Sequence, residues 1–102
     1  MSDDLPNTFK QFTSRFPELA ELHERMGKAA SSGPLSPREQ ALVKIGICLG
    51  AGLETAMGSH VRRALEAGIS RQEIEHAIVQ GMATLGFPRT VAAWAWARAE
   101  LE

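Results

Sequence analysis

The sequence predicts an all-α protein, and three observations support this prediction. Apolar residues recur at three- and four-residue steps in several segments, which is the spacing of a helix with one buried face. Two segments begin with the pattern Ser-x-x-Glu, which is typical of a capped helix start. No segment alternates polar and apolar residues for long, and the chain contains no tyrosine, so no strand is indicated.

The length of 102 residues predicts a single domain, 1–102, with a core of modest size. The net charge is −1, from 11 basic and 12 acidic residues, and nucleic acid is not expected as a partner because phosphate binding needs clustered Lys and Arg. No apolar run reaches the roughly 20 residues that a membrane span requires. The N-terminal MSDDLPNTF lacks the basic start and apolar middle of a signal peptide, so we expect a cytoplasmic protein.

In the first third of the chain, residues 1–6 are expected to be frayed. A short helix is predicted to begin at residue 7 or 8, and a second runs from Pro17, a residue suited to a first helical turn, to about residue 30. Ser, Gly and Pro at 31–34 indicate a linker. The predicted buried side of the second helix holds Leu19, Leu22 and Met26.

The next helix has the strongest start signal. Ser36 and Glu39 form a capping box, Pro37 occupies the first helical position, and the helix is predicted to end near Leu49. Lys44 is its only charged residue after Glu39. Because most of its sides are apolar, we predict that it is the central helix.

A fourth helix, about 53–67, is predicted to end at Gly68 as a C′ glycine. Its apolar stripe comprises Leu53, Met57, His60, Val61, Ala64 and Leu65. A second capping box, Ser70 with Glu73, starts a helix that Gly86 and Pro88 close. Within it, Gly81 suggests a close helix crossing rather than a break. Its predicted buried residues are Ile74, Ala77, Ile78, Met82 and Leu85.

The last predicted helix, about 89–101, is rich in alanine and contains two tryptophans. Trp94 and Trp96 lie about 200° apart around a helix, so one can enter the core and the other needs different cover. We therefore expect a self-association surface there. The alternative is one partly exposed tryptophan, which monomers tolerate.

Three residues are candidates for chemistry. His60 lies on an apolar stripe and titrates near neutral pH, although a core histidine bonded to a carbonyl is the alternative. Glu54 lies in a first helical turn, where the helix dipole alone favours acids, and it is about 120° from His60 around the helix. Arg62 or its neighbour Arg63 could bind a carboxylate, or both could simply be solvated. Glu54 and His60 can meet only if the first turn is distorted or if a neighbouring helix or subunit completes the site.

Other chemistries lack their residues. Cys48 is the only cysteine, so it cannot form an internal disulfide, and in so apolar a segment it is expected to be a buried hydrophobe. No metal ligand set and no dinucleotide or phosphate-loop motif is present. We therefore expect neither a metal nor an organic cofactor.

Residues 35–101 resemble the carboxymuconolactone decarboxylase-like, or AhpD-like, superfamily. The resemblance rests on His60-Val61-Arg62-Arg63-Ala64, Ala67-Gly68-Ile69-Ser70, Glu73-Ile74 and Gly86-Phe87-Pro88. The peroxidase branch of that superfamily has Cys-x2-Cys-x3-His, with a glutamate twelve residues before the first cysteine. Counting back from His60, these places hold Leu53, Ala56 and Ala41, so thiol–disulfide chemistry is not expected. The decarboxylase branch has a glutamate six residues before the histidine, which Glu54 matches, and an arginine two residues after it, which Arg62 matches.

The resemblance implies an orthogonal bundle of about five to six helices that assembles into homo-oligomers, trimers or hexamers, with sites between subunits. It also implies a cofactor-free lyase of aromatic catabolism that acts on a small carboxylated, lactone-type compound. His60 would be the general acid/base, Glu54 would orient or polarise it, and Arg62 or the N–H groups at a helix start would hold a carboxylate. The alternatives are a non-catalytic oligomeric helical module and, with less support, a peroxidase or disulfide reductase.

Overall fold

The computed structural model describes residues 7–102, and this part of the chain contains α-helices and no strand. The expected fraying of residues 1–6 lies outside the described residues. The helices are α1 (Asn7–Arg15), α2 (Pro17–Ser31), α3 (Pro37–Ala51), α4 (Glu54–Glu66), α5 (Arg71–Val79), α6 (Gly81–Leu85) and α7 (Phe87–Leu101). Only Gln80 separates α5 from α6, so the two can be counted as one interrupted helix. On that count, the described part of the chain contains six helices. The prediction of an all-α bundle is confirmed.

The described part of the chain divides into two compact units, with the boundary between Pro34 and Leu35. In the first unit, α1 packs against α2. The ring of Phe9 meets the ring of His23 edge-on, with the ring centroids 4.9 Å apart. Neither helix contains a buried residue.

The predicted buried side of α2 is wrong. Leu19, Leu22 and Met26 are 45%, 49% and 69% exposed. An apolar stripe shows that a helix has a face that can be buried, but it does not show that a partner covers that face.

The second unit contains the hydrophobic core. Helix α3 packs against α4, α5, α6 and α7, so its predicted central position is confirmed, although Val43 and Ile47 on its outer side are exposed. Residues of α3, α4, α5 and α7, together with the loop residue Ile69, fill the interior. The core comprises Ile45, Cys48, Leu49, Met57, Val61, Ala64, Ile69, Ile74, Ile78, Ala93 and Ala97.

Local signals position the helix ends well. The hydroxyls of Ser36 and Ser70 accept hydrogen bonds from the N–H groups of Glu39 and Glu73, and both capping boxes are complete. Gly68 adopts φ +89° just after α4, as the C′ prediction requires. The N–H groups of Gly68 and Ile69 donate to the carbonyls of Leu65 and Ala64, which is the Schellman pattern.

The helix predicted to run from Ser70 to Gly86 agrees with expectation at Gly81 and differs from it elsewhere. Gly81 is buried, and a Cβ there would lie 3.0 Å from Leu49 Cδ2 and from Thr90 Oγ1, which confirms the predicted close crossing. However, the helix is also interrupted at Gln80. The prediction that Met82 and Leu85 are buried is wrong, since they are 38% and 41% exposed beyond this interruption.

The two tryptophans of α7 are both partly buried and packed against the core, although the sequence placed them on opposite sides of the helix with room for only one in the core. The small Ala93 and Ala97 occupy the buried side of α7 instead. The indole N–H of Trp94 donates to Oε2 of Glu75 at 3.0 Å. Each tryptophan ring therefore lies at the border between the buried and the exposed side of α7.

Candidate functional site

His60 opens onto a cavity of about 230 Å³ in the second unit. Residues of α3 form one part of its wall, and residues of α4 and the turn after it form the rest. The lining comprises Pro37, Gln40, Ala41, Lys44, His60, Arg63 and Ala67. His60 is thus not a sealed core residue, because a space large enough for a small molecule adjoins its side chain.

The imidazole of His60 is partly buried, and burial lowers its pKa below the ordinary value of 6.5. The positive charges of Arg63 and Lys44 lower the pKa further, since each disfavours a second cation nearby. The ring is therefore neutral at pH 7 and can accept a proton.

The cavity lining is positively charged. Lys44 and Arg63 are both exposed side chains, and no acidic residue lines the cavity beside them. Neither cation forms an ion pair with a carboxylate of residues 7–102. An anionic group entering the cavity would meet these two charges and no acidic side chain in the lining.

Arg62 lies elsewhere. Its Nη1 donates to Oε2 of Glu100 at 2.9 Å and its Nη2 donates to Oγ of Ser59 at 3.2 Å. The ion pair is only partly exposed, with 31% and 27% of the two side chains accessible, and it joins α4 to α7. Arg62 is not part of the cavity lining, which contains its neighbour Arg63 instead.

Glu54 is exposed at the first residue of α4 and does not line the cavity. The first turn is regular helix, so the angle between Glu54 and His60 is not reduced by distortion. Within one chain, the structure therefore does not bring His60, Glu54 and Arg62 together.

Two polar residues of the lining, Lys44 and Gln40, are not candidates from the sequence alone. In the sequence, Lys44 stands out only as the single charge of an apolar helix after Glu39. The Nε2 group of Gln40 donates to the carbonyl of Leu35 at 2.8 Å, which holds its side chain near the start of α3. The isolated charge of Lys44 in an apolar segment was the available signal.

Cys48 is buried in the core, and burial raises the pKa of its thiol. It matches the expected small hydrophobe rather than a reactive thiolate. In the described residues, no group of three His, Cys, Asp or Glu side chains could hold a metal ion. None of the described helices combines the length and apolar character needed to cross a membrane.

A sequence model of the carboxymuconolactone decarboxylase family matches residues 17–99, which include the whole cavity lining. No curated protein and no solved structure gives a significant match. The family match supports the resemblance identified from the sequence motifs, and it does not distinguish between the branches of the superfamily.

Proposed function

The chain belongs to the carboxymuconolactone decarboxylase family, and from this premise we propose that it is a cofactor-free lyase. Its substrate would be a small carboxylated compound of the lactone type, and its reaction would be the loss of CO2. The observation that most supports this proposal is the position of His60, a partly buried and neutral imidazole beside a cavity of about 230 Å³. That volume lies below the roughly 300 Å³ lower limit of pockets for drug-sized ligands, so the ligand is small.

In the proposed reaction, the bond between the substrate carbon and its carboxylate breaks and CO2 leaves. The electron pair moves onto a conjugated carbonyl as an enolate, which is why the step requires no metal or organic cofactor. His60 accepts a proton from solvent and delivers it to the carbon that has lost the carboxylate. Overall, one proton replaces one carboxylate group.

Glu54 and Arg62 could act in this reaction only if the site differed from the one seen in a single chain. Glu54 lies outside the cavity of its own chain, so it would have to orient His60 of a neighbouring subunit. Arg62 would have to leave Glu100 before it could hold a carboxylate. His60 is therefore the residue on which the proposal depends.

We also propose that the protein is a homo-oligomer, a trimer or a hexamer. Support comes from the second unit, which leaves several large apolar side chains exposed on the outer sides of α3, α5, α6 and α7. These are Val43, Ile47, Val79, Met82, Leu85, Phe87 and Val91. Sedimentation at micromolar concentration tests this, and an 11.1 kDa monomer alone would contradict it.

The proposed reaction belongs to the breakdown of aromatic compounds, and we place it in the cytoplasm. The test is to incubate the purified protein with carboxymuconolactone and related carboxylated lactones and to measure CO2 release. Release that depends on protein concentration and is lost in His60→Ala supports the proposal. If every compound fails to release CO2 while the protein is folded, the lyase proposal is wrong and the non-catalytic helical module is favoured.

A further inference from the structure

Two unpaired cations from different helices converge on the cavity beside His60. Lys44 comes from α3 and Arg63 from α4, and both line the same space of about 230 Å³. In residues 7–102, neither has a carboxylate partner, although Arg38, Arg62, Arg71 and Arg98 each do. The charges of Lys44 and Arg63 are thus not neutralised by an ion pair with an acid of residues 7–102.

We propose that Lys44 and Arg63 are the substrate-binding residues of the His60 site, and that together they hold one carboxylate of the substrate beside the imidazole. The inference rests on the proposed function, since it assigns the residues that position the substrate in that same site. It also reassigns the carboxylate-binding role from Arg62, which is occupied by Glu100, to the residues that line the cavity.

The chemistry of the two side chains fits this task. The guanidinium of Arg63 can donate two parallel hydrogen bonds to a carboxylate. The ammonium of Lys44 adds a compact positive charge, and its three N–H donors can rotate to face the carboxylate. Because the walls hold no acid, a carboxylate there gains both attractions without losing one to a neighbouring protein carboxylate. A neutral group of the same shape gains neither charge.

The arrangement also suits His60. Burial and the two adjacent cations lower the pKa of the imidazole, and a bound carboxylate would offset part of the cationic charge. Binding should therefore make His60 easier to protonate, at the point in the reaction where its proton is needed. The two cations would thus position the substrate, and the neutralisation of their charge by the substrate carboxylate would raise the pKa of His60.

A binding experiment tests the assignment without requiring turnover. The probes are crotonate and crotonamide, which have nearly the same size and shape but differ by one negative charge. NMR titration of the His60 ring resonances should show crotonate binding at least about tenfold more tightly than crotonamide. Lys44→Gln and Arg63→Gln should each weaken crotonate binding at least about fivefold and leave crotonamide binding unchanged.

Matched controls separate this role from a general effect of surface charge. Arg71→Gln removes an exposed cation from the same unit and should leave crotonate binding unchanged. Lys44→Arg should preserve most of the affinity, because it preserves the charge. Equal binding of crotonate and crotonamide by the wild-type protein, or an equal loss in Arg71→Gln, would overturn the proposal.

The outcome is distinguishable from a failure of the proposed function. If CO2 release depends on His60 while Lys44→Gln and Arg63→Gln bind crotonate normally, the reaction stands and the binding assignment is wrong. If the charge-dependent binding is found but no carboxylated lactone is turned over, the assignment stands and the lyase proposal is wrong.

Discussion

The Nη1 atom of Arg62 lies 2.9 Å from Oε2 of Glu100, while the adjacent Arg63 lines the cavity beside His60. Successive residues of a helix differ by about 100° in direction, so neighbouring arginines face different surroundings. One of them ties α4 to α7, and the other contributes positive charge to the candidate site.

This difference predicts opposite effects for two otherwise identical substitutions. Arg62→Gln should lower the free energy of unfolding by about 1 kcal/mol, because it breaks a partly buried ion pair, and it should leave crotonate binding intact. Arg63→Gln should change stability little and weaken crotonate binding. Urea unfolding and NMR titration measure the two effects. If both variants lost stability and affinity to the same extent, the two arginines would not have separate roles.

The pKa of His60 predicts how stability depends on pH. Burial and the charges of Arg63 and Lys44 lower this pKa below 6.5 in the folded protein, so the unfolded chain takes up the proton at a higher pH. The free energy of unfolding therefore declines as pH falls through 6.5, and this decline is complete below the pKa of His60 in the folded protein. Urea unfolding between pH 8 and pH 5 should show this decline, and His60→Gln should reduce it.

The contribution of Glu73 to the pH dependence of stability falls in a lower pH range than that of His60, so the two contributions can be measured separately. The side chain of Arg38 and the backbone N–H of Ser70 hold the pKa of Glu73 at about 2, compared with 4.5 ordinarily. The stabilisation from Glu73 is present above 4.5 and is lost as pH falls towards 2. A decline above pH 5 that is the same in wild type and His60→Gln would contradict the interpretation of His60.

The close packing around Gly81 predicts a steric cost for a larger residue there. A Cβ at this position would lie 3.0 Å from side-chain atoms of both Leu49 and Thr90, so Gly81→Ala should displace these side chains by a few tenths of an ångström and cost about 1 kcal/mol. Gly46→Ala is the matched control, since nothing lies within 4 Å of its Cβ. Alanine should stabilise the middle of α3 there by about 0.5–1 kcal/mol. Thermal unfolding of the two variants should therefore give shifts of opposite sign.

Cys48 predicts an unreactive thiol. It is buried, and its pKa is raised by that burial, so a thiol reagent such as Ellman's reagent should react with the folded protein far more slowly than with the protein in urea. Hydroperoxides should not be reduced at a rate that depends on this residue. Turnover of hydroperoxide that disappears in Cys48→Ser would restore the peroxidase alternative.

Helix ends were the most predictable part of the fold. The capping boxes at Ser36 and Ser70 and the C′ position of Gly68 involve atoms only a few residues apart, so the sequence nearby determines them. Burial was less predictable. Met82 and Leu85 continue the apolar stripe of α5 by spacing, yet the interruption at Gln80 turns them outward.

The candidate site was predictable at one residue. His60 was identified because an imidazole is unusual on an apolar stripe, and the structure places it at a cavity. Lys44 is 16 positions away along the chain, and its proximity depends on how α3 and α4 cross, which helical spacing within either helix does not specify. The same limit applied to Arg62, whose partner Glu100 lies in another helix.

The most direct test compares two histidine variants in one assay of CO2 release from a carboxylated lactone. His60 lines the candidate site, whereas His76 is exposed on a different cavity, together with Leu42 and Val43. We expect His60→Gln to lower kcat/KM by about 100-fold or more and His76→Gln to stay at the wild-type value. A folded His60→Gln protein that works as fast as the wild type would contradict a catalytic role for His60.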